Sequence, residues 1–148
     1  MRLKLPVLSF ILIVGFSVMG CSIRPEPIAY GIDGCHFCSM TIVDKQHAAE
    51  IVTKKGKVFK FDAVECMLNH LKDIDSSTLQ LFLVNDYHAP GELIDAKGAT
   101  FLISKDIPSP MGEYLSAFQT RSDAEIVEAE NNGKLYAWNE LLTKFKVQ

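Results

Sequence analysis

The sequence predicts an α+β fold: two ββαβ repeats packed as one compact unit, with a helix added at the C-terminus. Strand-like segments come in pairs in each half, and each pair leads into a helix that opens on an acid or serine with glutamate three residues on. A further strand follows each helix. At 148 residues and 48% hydrophobic, the chain can bury one ordinary core, and its length argues against two large domains.

In the first half, Ala48–Thr53 has β-branched, moderately alternating character, and Lys54-Lys55-Gly56-Lys57 supplies a turn before Val58–Phe61. The two segments read as a hairpin. Asp62-Ala63-Val64-Glu65 then places an acid at a helix N-cap and glutamate three residues later, so a helix is predicted from Ala63 to Lys72. Ser76-Ser77 interrupts the pattern, and Leu79–Val84 is too short and too apolar for an amphipathic helix, so it reads as a buried strand. Asn85 to Gly98, with Pro90 and Gly91, reads as a loop with a short extended piece at Leu93-Ile94.

The second half repeats the order. Ala99–Ser104 and Glu113–Gln119 read as strands, and Ser122-Asp123-Ala124-Glu125 as a capping box opening a helix through Asn131. Gly133 ends that helix, Lys134–Trp138 reads as a strand, and Asn139 caps a last helix to about Lys146. The matching order of elements points to an internal duplication, with halves of about 34–86 and 98–148. No residue-level identity survives between them, so coincidence between two ordinary α+β segments is the competing explanation.

The N-terminus has a different character. Arg2 and Lys4 precede an apolar run from Leu5 to Met19, which reads as a secretory signal over 1–20. The run is about fifteen residues, short of the ~20 that span a bilayer. Val18-Met19-Gly20-Cys21 resembles a bacterial lipobox, well at Gly20-Cys21 and loosely at Met19. On that reading Cys21 is lipidated, 21–33 is a short tether with two prolines, and 34–148 is the folded domain, held outside the cytoplasm on a membrane. The formal net charge of −3 falls to about −5 once Arg2 and Lys4 leave with the leader, which argues against nucleic acid as a partner.

Removing Cys21 from the thiol count leaves Cys35, Cys38 and Cys66. An odd number in an oxidising compartment implies a free or metal-bound thiol, or an intermolecular disulfide. Cys35-His36-Phe37-Cys38-Ser39-Met40 concentrates soft donors, and in an extended segment Cys38 and Met40 point to one side, a two-sulfur pincer for Cu(I). Methionine suits this space because it cannot be lost to a disulfide. A third sulfur stands at Met111, in the turn Ser109-Pro110-Met111-Gly112, where a methionine equally well fills a gap under the loop.

Zinc competes with copper here. Cys66 and His70 lie four apart on one helix face and complete a Cys3His set with Cys35 and Cys38, though zinc leaves Met40 unexplained. The plainer alternative makes Cys66 core and His70 a surface residue. A thiol oxidoreductase would need Cys-x-x-Cys opening a helix after a strand, and here it follows a tether and precedes a hairpin. A c-type haem needs histidine at position 39, which is serine. His36, His47 and His88 read as loop imidazoles exposed to solvent. With no Ser-His-Asp order or phosphate loop, and with Asp62, Glu65 and Glu125 assigned to capping, no enzyme activity is expected.

Taken together, C-H-F-C-S-M, A-A-E-I-V-x-K-x-G-K-V-F-K-F-D, the E-C-M-L helix, N-D-Y, D-A-x-x-A-x-F, S-P-M-G and the terminal W-x-E-L resemble the NosL family, lipoproteins that accompany the nitrous oxide reductase system of denitrification. The resemblance runs from Cys35 to the C-terminal helix. It implies an extracytoplasmic Cu(I) chaperone with a two-part ββαβ fold, whose partners are nitrous oxide reductase and its copper-supply machinery. Carried over by position, the ligands are Cys38, Met40 and Met111; Cys35, Cys66 and His70 stay secondary candidates, from the Cys3His pattern and not from the resemblance. The family usually has glycine where this chain has Ser39. A monomer binding one Cu(I) is expected.

Overall fold

The computed structural model describes residues 23–147 and contains seven strands and three helices. Strands β1 (Ala49–Thr53), β2 (Val58–Phe61), β3 (Leu79–Asn85) and β4 (Leu93–Asp95) form one sheet in the order β2-β1-β3-β4. Strands β5 (Thr100–Ile103), β6 (Leu115–Phe118) and β7 (Lys134–Ala137) form a second in the order β6-β5-β7. All pairings are antiparallel. Helix α1 (Val64–Leu71) joins β2 to β3, and α2 (Arg121–Asn131) joins β6 to β7. In each half, then, the first strand is central and is flanked by the second and third, so the ββαβ duplication is a property of the topology. Strand β4 is an addition to the first half alone, at the short extended piece expected there.

The helix starts differ from the expected ones. Asp62 and Glu65 form no capping box: the residue before α1 is Ala63, with no side-chain cap, and both acids are buried. For α2 the cap is Thr120, whose hydroxyl accepts from Asp123 N at 3.1 Å, while Ser122 lies inside the helix and Glu125 pairs with Arg121 at the surface. Helix α3 (Trp138–Phe145) begins one residue before Asn139; Glu140 accepts from the Ala137 amide at 2.7 Å. In each case the incoming strand decides which amides need a partner, and the local sequence offers more than one candidate to supply it.

The main apolar core draws on both halves, and a smaller cluster around Leu102, Phe118 and Val127 lies in the second. Ile51, Phe61 and Leu68 from the first share a cluster with Phe101, Leu115 and Leu141 from the second. Trp138 opens α3 between the sheets, its ring 5.8 Å from that of Phe82 and 5.9 Å from that of Phe101. His47, expected at the surface, is 3% exposed: its Nδ1 meets Asp44 Oδ2 at 2.9 Å and its Nε2 meets Ser116 Oγ at 3.1 Å. The aspartate, histidine and serine of a hydrolase relay are thus lined up, but Ser116 is fully buried in β6 and offers its hydroxyl to no substrate. The relay is a strut between the halves.

Gly133 shows how tightly the second half closes. Its φ is +125°, and a Cβ there would lie 2.5 Å from Ile103 O and 2.9 Å from Leu102 Cδ1. Gly31, at φ +81°, has open space around the same position. Urea denaturation should therefore show Gly133→Ala losing about 2–3 kcal/mol, from strain and overpacking together, and Gly31→Ala about 1–2 kcal/mol, from strain alone. Equal losses would mean that the β7 entry is not closely packed.

Candidate metal centre

The segment before β1 folds back on itself. Gly31 N donates to Ile42 O at 2.8 Å, Gly34 and Thr41 form a bridge, and Cys35 N donates to Met40 O at 2.7 Å. Reversing the chain in so few residues places Ser39 in the left-handed region at φ +65°, where Ser39 N donates to Cys35 O at 3.0 Å. This is the position at which the resemblance expects glycine, and its geometry supplies the reason: a residue without Cβ reaches that φ at no steric cost. Serine makes the same turn here, so Cys38 and Met40 flank a left-handed turn and not the extended segment expected, and their spacing alone does not point them to one side. The loop is fastened to the end of β2 by His36 N donating to Lys60 O at 2.8 Å.

Behind the loop, the chain leaves β2 through Asp62 and enters α1, which brings Cys66 in its first turn up to Cys35 and Cys38. The sulfurs of Cys35, Cys38 and Cys66 all lie within 4.8 Å of one another, and none is in a disulfide. Cys35 and Cys66 are buried and Cys38 is half-buried, so the group has one accessible member.

The three thiols differ electrostatically. Cys35 is pulled down from 9.0 to about 4, first by the thiol of Cys66 donating to it and then, against the cost of burial, by the amides of Asp62, Cys38 and Phe37. The Cys38 amide stands 3.5 Å from Cys35 Sγ. Cys66 is pushed well up by that same bond to Cys35 and by burial, and Cys38 is raised chiefly by burial. One negative charge, centred on Cys35, is therefore shared among three sulfurs. A pocket of this kind suits a soft cation of low charge.

The NosL family model matches residues 30–145. The chain belongs to the NosL family. Among solved structures it is similar to the crystal structure of the copper chaperone NosL from Shewanella denitrificans, with 26% identity over 80% of this chain and 96% of that one, at a TM-score of 0.70. No match was found among curated proteins.

In this NosL chain the other expected ligands differ in their exposure. Met40 follows the left-handed turn and is 59% exposed. Met111 lies in the loop between β5 and β6, partly buried against the shared core. His70, one turn beyond Cys66, is not a member of the three-sulfur group. Its ring stands among those of His36, Phe59 and Phe61 at 5.0, 5.2 and 5.4 Å. Its Nε2 is buried without a hydrogen-bond partner among the described residues, and burial lowers its pKa, favouring the neutral imidazole. Cys21 lies outside the described residues.

The proximity of Cys35, Cys38 and Cys66 is not legible in the sequence, because it depends on the fold-back of the loop onto β2. The local signal for Cys66 was present: a strand ending at Phe61 and a helix opening at Val64, with Cys66 in its first turn, leave room only for a tight corner between them.

Titration of the reduced, metal-free protein should reveal one thiolate at neutral pH. Because the Cys35 pKa is lowered, thiolate absorbance should persist as pH falls from 7 and disappear only around pH 4, and Cys35→Ser should abolish this low-pH component. Three thiols titrating together near their ordinary value would contradict the shared-charge arrangement.

Proposed function

We propose that this protein is an extracytoplasmic Cu(I) metallochaperone, anchored to a membrane by lipid on Cys21, that passes copper toward assembly of the copper centre of nitrous oxide reductase. The observation that carries the proposal is the three-sulfur group with its single half-exposed member in a NosL chain. The similarity to a solved copper chaperone supports it.

Copper is the cargo, and the chain's part is to hold it softly enough to let go. Cys38 is the pivot. It belongs to the buried thiol group through Cys35 and Cys66, and the proposed outer ligands are the exposed Met40, two residues on, and Met111 from the second half. Sulfur-only ligation selects Cu(I), and uncharged thioethers at the rim bind it without adding charge that would hinder departure. A recipient's ligands can then replace those of the chaperone one at a time, beginning with the exposed Met40. This is ligand exchange and requires no catalytic group.

The tether fits an anchored protein. Glu26 N already donates to Glu50 Oε1 at 3.1 Å, and Lys60 Nζ binds Pro27 O and Asp33 Oδ2 at 2.8 and 2.7 Å. Only a few residues separate these ties from Cys21. At ~3.5 Å per residue, a lipid there would hold the domain within roughly 20 Å of the bilayer.

A second reading, a zinc-stabilised interaction module, is favoured by the buried, unpartnered Nε2 of His70 one turn from Cys66. Competition with a Cu(I) chelator, on the form beginning after Cys21, separates the two. For the chaperone, one Cu(I) binds, Cys38→Ser abolishes competition, and Met40→Ala and Met111→Ala each weaken binding by at least the ~10-fold typical of outer-shell changes. If Met40→Ala leaves Cu(I) affinity unchanged while Cys66→Ala unfolds a zinc-containing protein, the zinc reading replaces it.

A further inference from the structure

Glu65 is fully buried in the first turn of α1, immediately before Cys66. It caps nothing. Its Oε1 accepts from the Ser109 hydroxyl in the other half of the fold and, at 3.4 Å, from Leu115 N. Ser109 in turn organises the loop that carries Met111. Its Oγ accepts from Tyr114 N at 2.9 Å, and its carbonyl accepts from Gly112 N at 3.0 Å. Two residues of that loop, Gly112 at φ +76° and Tyr114 at φ +61°, hold left-handed conformations, the second at a steric cost.

A loop with this backbone needs an external reason to keep its shape. The Glu65–Ser109 link supplies one, and it runs to the helix turn that bears a cysteine of the sulfur group. We propose that Glu65 and Ser109 are positioning residues that hold the Met111 loop in register with the cysteines, so that the thioether meets the copper held by Cys38. The proposal rests on the reading of Met111 as a ligand.

Physically, the link fixes one end of the loop against α1. The buried carboxylate oxygen accepts the hydroxyl proton, and the hydroxyl oxygen is then free to accept the Tyr114 amide. Removing the hydroxyl breaks both bonds at once and leaves Met111 attached to a loop with no tie to the helix through this side chain. The core beneath is untouched, because Ser109→Ala deletes one oxygen.

The test is a double-mutant cycle in Cu(I) affinity, measured by chelator competition on the detergent-solubilised full chain. Ser109→Ala should weaken Cu(I) binding about tenfold, the lower end of what an outer-shell loss costs, and Glu65→Gln, which keeps the acceptor oxygen, should remain closer to wild type. In a Met111→Ala background, Ser109→Ala should have no further effect on affinity, which a merely structural role would not produce. Gly112→Ala perturbs the same loop at a position where a Cβ has open space, and should also weaken binding. If Met111→Ala weakens binding but Ser109→Ala and Gly112→Ala do not, or if the Ser109→Ala loss persists undiminished without Met111, the positioning role is overturned while the ligand stands. If Met111→Ala itself leaves affinity unchanged, the ligand reading fails and the positioning role falls with it.

Discussion

Three cysteine sulfurs within 4.8 Å of one another, two of them buried, are the constraint around which the rest of this structure is arranged. Such a group binds a proton or a metal far more readily than it tolerates several negative charges, so the chain must supply donors for one thiolate and keep the others protonated until a metal arrives. It does so with backbone. The amides of Phe37, Cys38 and Asp62 face Cys35, and the Cys66 thiol donates to it. Backbone donors cannot be presented in this way without the left-handed turn at Ser39 and the bond from His36 to the end of β2. The hairpin, the strand and the helix are each needed to bring one part of the group into place.

The same constraint accounts for the buried polar contacts between the two halves. If Met111 is a ligand as proposed, a site drawing cysteines from one half and a thioether from the other needs the halves in fixed register, and apolar packing alone is permissive about register. His47 reaches Ser116 and Glu65 reaches Ser109 and Leu115, so two polar side chains from the first half end on β6 or the loop before it. Trp138 adds a wedge between the sheets. A burial cost is incurred at Glu65, where Oε2 has no partner among the described residues and the carboxyl pKa is raised by burial.

Much of this was legible in the sequence because it was local. Val58–Phe61 was readable as a strand to the residue, since alternation and a preceding Lys-Lys-Gly-Lys turn leave little choice, and the order of elements in the two halves exposed the duplication. Glu65 was not legible, because a glutamate three residues after an aspartate looks the same whether it caps its own helix or crosses to Ser109. His47 was misplaced for a related reason: its partner Ser116 lies 69 residues away, and a lone imidazole beside Gln46 carries no mark of burial. The cysteine group fell between these cases. Its members were all named from composition, but their proximity depends on a fold-back whose key residue, Ser39, hides the left-handed turn that a glycine would have announced.

The central claim is that the cargo is Cu(I) held by sulfur alone, with Cys38 shared between the buried thiols and the methionines at the rim. Copper K-edge X-ray absorption on the Cu(I)-loaded protein tests this most directly. The account predicts a first shell made only of sulfur, reduced in number by Cys38→Ser and unaltered by His70→Ala. Nitrogen scattering that disappears with His70→Ala would contradict it, and would return the helix face of Cys66 and His70 to the centre of the chemistry.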